Sequence, residues 1–158
     1  MSSQEIPETE AEQDARDLAD CRPSSVVNAA AGGAAFSGVG CFMLALQLIM
    51  IPSRTVIANS ALAMEGLFGA AFVVMAIWLL KLRVLPAVLC AMLSFTSAFL
   101  IVGWSLFAMT RGLFTILGFA VPGLCTITGL LSLLAIGPAQ RAVAARERLR
   151  QRGISLGL

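Results

Sequence analysis

Four long apolar stretches dominate this sequence. Residues 23–53, 84–110 and 112–140 contain no charged side chain, and residues 55–80 contain only one, Glu65. Each stretch exceeds the roughly 20 residues that an α-helix needs to cross about 30 Å of hydrocarbon. Soluble helices would carry a polar face with a period of 3.6 residues, and these stretches lack one. The pattern therefore predicts membrane-spanning helices.

The apolar stretches divide the chain into three parts. We expect an all-α integral membrane protein, a four-helix bundle with short loops and helices over residues 26–51, 61–80, 85–109 and 113–137. Residues 1–25 form an acidic tail that is predicted to be disordered. The alternative is a short helix through Leu18, because Thr9 and Glu12 have the spacing of a capping box. Residues 138–158 are predicted to form a basic helix and tail, entered through a break at Gly137–Pro138 and ended at Gly153.

The basic residues predict the orientation of the chain. Two of them, Arg54 and Arg111, lie on the side of the membrane opposite the termini. Nine lie on the side of the termini: Arg16, Arg22, Lys81, Arg83, Arg141, Arg146, Arg148, Arg150 and Arg152. By the positive-inside rule, we expect both termini in the cytoplasm. A bacterial inner (cytoplasmic) membrane is the simplest location, with an organelle membrane as the alternative.

Glu65 is the only charged residue within a predicted span. A charge buried in hydrocarbon is costly unless it is paired or neutralised, so such residues are candidates for function. One hypothesis makes Glu65 an interfacial carboxylate near the outer surface, paired with Arg54 or Arg111. The other makes it a proton or cation site. Gln47 also lies toward the outer side, so an outer polar pocket of Gln47, Arg54, Glu65 and Arg111 is conceivable.

Small side chains recur every fourth position along the first helix, and the second helix repeats the pattern. In lipid, helices associate through close contact between backbones, which rows of small residues permit. The predicted packing face contains Gly33, Ser37, Cys41, Gly66 and Gly69. This face serves either the packing of the bundle itself or the recruitment of another subunit.

Pro122 and Gly123 interrupt the fourth predicted helix near its middle. Pro122 has no N–H to donate to the carbonyl of Gly118, so a kink is expected, either static or acting as a hinge. Thr126 can bond back to a backbone carbonyl, and Thr128 can bridge helices, which would limit the cost.

The remaining polar residues do not assemble a catalytic or metal site. The chain contains no histidine, and its four cysteines form no C-x-x-C pair. Three of them, Cys41, Cys90 and Cys125, lie within predicted spans and are interpreted as small packing residues. We therefore expect no enzymatic activity, no cofactor and no bound metal.

The two ends of the chain carry opposite charges. Residues 1–25 hold seven acids and two arginines, and residues 138–158 hold five arginines and one glutamate. The basic tail contains Arg141, Arg146, Arg148, Arg150 and Arg152. We expect it to set topology, to attract anionic headgroups, or to dock an acidic partner or the chain's own acidic tail. Nucleic-acid binding is not expected.

These features together favour a non-enzymatic accessory, assembly or stabilising subunit of a larger membrane complex, which acts through helix packing. Its partners would be the lipid bilayer and either other membrane subunits or further copies of itself. One alternative is a small proton- or cation-coupled transporter or channel that uses Glu65. Another is a membrane adaptor whose charged tails recruit partners.

Overall fold

The computed structural model describes residues 9–50, 56–110 and 116–154. This part of the chain is helical, without strands. It contains α1 (Glu10–Asp20), α2 (Ser25–Ile49), α3 (Val56–Leu79), α4 (Val84–Thr110) and α5 (Leu117–Gln151). The last four are each long and apolar enough to cross a membrane, which confirms the predicted all-helical class with four long apolar helices.

The four long helices pack as a ring that is tight on three sides. α2 packs extensively against α3 and α5, and α4 packs extensively against α5. The contact between α3 and α4 is much smaller. The seam between α3 and α4 is therefore the loosest side of the bundle, and a groove opens there.

The backbones of α2 and α3 approach each other closely where the two helices cross. A Cβ atom built on Gly38 would lie 3.0 Å from the carbonyl oxygen of Gly69, and one built on Gly69 would lie 3.1 Å from the carbonyl oxygen of Gly38. The two backbones are thus in direct contact, as small residues allow between helices in lipid. This crossing fixes the depth at which α3 meets α2.

Pro122 lies inside α5, and its cost is offset by two hydroxyl groups. The Ser105 hydroxyl of α4 donates to the carbonyl of Gly118 at 2.8 Å, which replaces the donor that Pro122 cannot supply. The Thr126 hydroxyl donates to the carbonyl of Pro122 at 2.9 Å. The proline therefore creates a bond between α4 and α5 instead of an unsatisfied carbonyl.

The prediction of a break at Gly137–Pro138 is wrong, because α5 runs without interruption from Leu117 to Gln151. Pro138 removes one backbone hydrogen bond, which a helix tolerates when the following turns are held by packing. A buried row supplies that packing: Ala139, Ala142, Ala145 and Leu149. At the end of the helix, Gly153 has a φ of 77°, and the Ile154 N–H donates to the carbonyl of Leu149 at 3.0 Å. This pattern is a Schellman cap.

The acidic tail contains a helix where disorder was expected. The Thr9 N–H donates to the Glu12 carboxylate at 3.0 Å, which satisfies one of the free amides at the start of α1. The correction applies to Glu10–Asp20, since residues 1–8 lie outside the described part. The composition of the tail favours disorder, but ion pairs with α5 hold this helix in place.

Candidate functional site

A polar cluster lies buried inside the apolar bundle, and each long helix contributes to it. Its members are small or short, which lets several of them share one layer. We call this layer the buried polar cluster. It contains Ser37, Cys41, Glu65, Ser97, Cys125 and Thr128, of which Glu65 is 5% exposed and the others are fully buried.

Two cysteines connect the members of the buried polar cluster. The Cys41 thiol lies near the Cys125 thiol and near the Glu65 carboxyl group. The Cys125 thiol in turn contacts the hydroxyl groups of Ser37 and Ser97. The Ser37 and Thr128 hydroxyl groups are 3.0 Å apart. The buried polar cluster therefore gathers side chains from α2, α3, α4 and α5 in one layer around the carboxyl group of Glu65.

Glu65 lies deeper than a surface carboxylate. α3 begins at Val56, so Glu65 is nine residues, or about 13 Å, along the helix. Its Oε2 atom is buried and has no hydrogen-bond partner within the described chain. Buried polar atoms are almost always paired, and an unpaired carboxyl oxygen is costly to bury. Chemically, this oxygen is able to hold a proton or to face a cation.

A groove between α3 and α4 leads to this carboxyl group. We call it the α3–α4 groove; its volume is about 470 Å³, and its lining includes Ser60, Met64, Glu65, Phe99, Trp104 and Phe107. Small-molecule sites usually measure about 300–1,000 Å³. The rings of Trp104 and Phe107 lie 5.7 Å apart and are tilted by 37°. Among the side chains that line the groove in the described structure, Glu65 alone is ionisable.

The structure brings together only part of the predicted outer polar pocket. Gln47 is exposed on α2 and does not line the α3–α4 groove. Arg54 and Arg111 lie outside the described residues. Glu65 therefore contacts Cys41 and lines the groove, whereas the geometry of the predicted pocket as a set of four residues is not described.

The predicted packing face is used unevenly. A Cβ atom on Gly33 would meet the Thr128 hydroxyl at 2.8 Å, so α2 lies close to α5 there. Ser37 and Cys41 belong to the buried polar cluster, and Gly69 lies at the crossing with α2. Gly66 differs, because a Cβ atom on it would meet nothing within 4 Å. The row on α2 is thus occupied within this chain, and the free space lies on α3.

The aromatic wall of the groove was not singled out from the sequence. Phe99, Gly103 and Phe107 are four residues apart and therefore share one face of α4, next to Trp104. That spacing could have been used to predict an aromatic face on this helix. It does not reveal which neighbouring helix the face meets, so it does not link these rings to Glu65.

The basic end of α5 binds α1 through two ion pairs, which we call the α1–α5 clasp. The Arg148 guanidinium donates to both oxygens of the Asp17 carboxylate, with an Nη2–Oδ1 distance of 2.6 Å and an Nε–Oδ2 distance of 3.2 Å. Arg152 forms an ion pair with Asp14 and donates to the Gln13 amide oxygen at 3.3 Å. The acidic and basic ends of the chain therefore bind each other.

The other predicted basic residues behave differently. The Arg146 guanidinium donates to the carbonyl of Lys81 at 3.2 Å, which connects α5 to the turn between α3 and α4. Arg141 and Arg150 are exposed. The basic tail is thus divided between contacts within this chain and exposed charge.

The clasp makes the docking of α1 depend on pH. The hydrogen bond from Arg148 holds the pKa of Asp17 below its usual range, and the Thr9 amide similarly lowers the pKa of Glu12. A carboxyl group whose pKa is lower in the folded state stabilises that state above the unfolded value of about 4. This contribution is lost as the pH falls through the lower, folded value. We therefore expect α1 to be docked at pH 7, to bind α5 less tightly once the pH falls below about 4, and to separate from it only below the lowered pKa of Asp17.

This expectation is tested by the distance between nitroxide labels on α1 and α5, at Ala11→Cys and Ala144→Cys in a Cys21→Ser background. Asp17→Asn should broaden the distance distribution at pH 7, whereas Glu147→Gln, which changes an exposed carboxylate of α5, should leave it unchanged. If the distances stay the same for Asp17→Asn and at low pH, the clasp does not hold α1.

Metal ligands are not gathered in this structure. Within residues 9–50, 56–110 and 116–154, no group of three or more histidine, cysteine, aspartate or glutamate side chains is placed to hold a metal ion.

Comparisons with protein-family models, with characterised proteins and with solved structures give no match to this chain. Its function must therefore be inferred from the chemistry of the Glu65 site.

Proposed function

We propose that this chain is a small multi-pass membrane protein that binds and carries protons or cations at Glu65. One observation carries the proposal. The Oε2 atom of Glu65 is buried and has no partner among the described residues, and the Glu65 residue lines an open groove. An ionisable group inside a membrane helix is a candidate for function by default, and one left unpaired beside free space is a stronger candidate.

The surroundings of Glu65 suit an exchange of one positive charge for another. The Cys41 thiol lies near the carboxyl group on the α2 side, and Glu65 lines the groove on the α3–α4 side. The carboxyl group neutralises its charge either with a proton or with a cation, so binding of one releases the other. Because few polar groups line the groove, the cation and the carboxylate would attract each other strongly there. The loose α3–α4 seam supplies an element able to move during such an exchange.

The membrane location is part of the proposal. Large apolar side chains point outward from the bundle, including Phe36 and Leu67, each 69% exposed, and Leu134, 65% exposed. Lipid would cover these surfaces at no cost, whereas water would not. By the positive-inside rule, both termini lie in the cytoplasm. A bacterial inner membrane is the simplest location, with an organelle membrane as the alternative.

The test is flux into proteoliposomes that contain the purified chain and a trapped pH-sensitive dye. With an imposed pH gradient and a monovalent cation on the alkaline side to exchange for protons, we expect proton flux from the wild type and background flux from Glu65→Gln, because glutamine keeps the shape but neither ionises nor releases a proton. The matched control, Glu147→Gln, removes an exposed carboxylate of α5 and should keep full flux. Size-exclusion profiles that agree among the three proteins would show that folding is unchanged. Equal flux from wild type and Glu65→Gln would refute the proposal.

A second proposal, the accessory or stabilising subunit of a larger membrane complex, is supported by a different observation. In α3, 22% of the most apolar window is buried, against 39–44% in the other three long helices. The open position of Gly66 adds a surface on which another helix could approach closely. Purification in mild detergent should then yield a larger hetero-complex, and a lone monomer would count against it.

The adaptor alternative has less support, because Asp17 and Arg148 already bind each other.

A further inference from the structure

We infer that the α3–α4 groove binds an amphiphilic organic cation, with a single substituted ammonium group and an aromatic or short alkyl substituent. This inference rests on the proposed function, because both depend on Glu65. It adds the chemical class of the ligand and the surface that selects it.

The single carboxyl group in the groove favours a ligand with one positive charge. Glu65 is the single ionisable residue among its described lining side chains, and its Oε2 atom has no partner in the described structure. A monocation would neutralise the carboxylate. An anion would be repelled by it, and a dication would leave one charge uncompensated in an apolar setting, which is unfavourable.

The groove offers rings where an inorganic cation would need oxygen atoms. Mg²⁺ and Ca²⁺ bind about six or more oxygen ligands, whereas the described lining provides oxygen side chains only from Ser60 and Glu65. Phe99, Trp104 and Phe107 instead present aromatic rings, whose faces attract substituted ammonium groups. The Trp104 and Phe107 rings are close enough, at 5.7 Å, to contact the same ligand.

The groove borders the backbone of α4 at a glycine, next to open space. Gly103 lines the groove, and a Cβ atom on it would meet nothing within 4 Å. A Cβ atom at this position would therefore extend from α4 into open space at the wall of the groove without meeting a protein atom. This makes Gly103→Leu a variant that blocks the ligand and leaves the bundle intact. Gly123→Leu is its matched control, because Gly123 is exposed on α5 and also has nothing within 4 Å.

The experiment measures equilibrium binding of radiolabelled benzyltrimethylammonium to the full chain in phosphatidylcholine nanodiscs. The uncharged analogue neopentylbenzene, in which carbon replaces the nitrogen, serves as competitor. We expect it to compete at least about 100-fold more weakly than unlabelled benzyltrimethylammonium, and we expect Glu65→Gln to weaken binding by a similar factor. Trp104→Leu should weaken binding about ten-fold. Gly103→Leu should abolish binding, and Gly123→Leu should leave it unchanged.

Three results would overturn the inference: no saturable binding, equal competition by neopentylbenzene, or binding that survives both Glu65→Gln and Gly103→Leu. Proton flux that depends on Glu65, without binding of benzyltrimethylammonium, would leave the proposed function standing and refute the cation. Binding that depends on Glu65, without any flux, would support the cation and refute the carrier.

Discussion

Phe72→Ala is expected to lower the free energy of unfolding by about 3–5 kcal/mol. Phe72 is fully buried on α3 and is the largest fully buried side chain among the described residues. Its Cβ atom lies 3.3 Å from the position of a Cβ atom on Gly38, so the ring lies beside the closest crossing of α2 and α3. Alanine would leave a cavity there, and the lining atoms would lose their van der Waals contacts. In lipid this loss outweighs any hydrophobic term, because the exposed chain remains among apolar groups.

The matched control is Phe36→Ala, which removes the same atoms from a side chain that is 69% exposed on α2. Reversible unfolding of both variants in mixed detergent micelles, titrated with dodecyl sulfate, measures the difference. Phe36→Ala should change stability by much less than Phe72→Ala. Equal losses would mean that the ring of Phe72 is not part of a packed core.

Gly38→Leu is expected to lower the free energy of unfolding by about 3 kcal/mol, at the upper end of the usual cost of overpacking. The first added carbon would lie 3.0 Å from the carbonyl oxygen of Gly69, which is a backbone atom and cannot rotate away. α2 and α3 would have to separate, and the loss would extend to the contact between Cys41 and Glu65. Benzyltrimethylammonium binding should therefore weaken together with stability in this variant.

Gly66→Leu provides the comparison on α3, because a Cβ atom at this position meets nothing within 4 Å. In the same micelle titration it should keep nearly the wild-type free energy of unfolding. If Gly66→Leu is as harmful as Gly38→Leu, the two helices do not cross at Gly38 and Gly69. If only the assembly of a larger complex fails in Gly66→Leu, the accessory-subunit proposal gains support.

The sequence predicted one part of the candidate site and missed the other. Glu65 was identified because a single charge within an apolar run is costly in hydrocarbon, and that argument needs no partner. Its contact with Cys41 and the proximity of Cys125 could not be predicted. These residues lie on three different helices, and their contact depends on how each helix is rotated about its axis. The same holds for the rings of Phe99 and Trp104.

Local sequence signals predicted the ends of the helices more accurately than they predicted breaks within a helix. The capping-box spacing of Thr9 and Glu12 and the glycine at position 153 are found at the ends of α1 and α5. The sequence predicted a break at Gly137–Pro138 because the prediction considered only the free-energy cost of a proline within a helix. Burial of Ala142 and Leu149 against the rest of the chain outweighs that cost.

The number and order of the apolar helices follow from the apolar stretches of the sequence alone, because roughly 20 uncharged apolar residues form a helix of spanning length in whatever bundle they join. Which faces meet does not follow from it. Each long helix is apolar nearly all around, so hydrophobic periodicity does not set its rotation. Contacts between particular side chains set it instead: Gly38 against Gly69, Ser37 against Thr128, and Ser105 against the carbonyl freed by Pro122. Those contacts turn Glu65 toward Cys41 and leave the groove between α3 and α4 open.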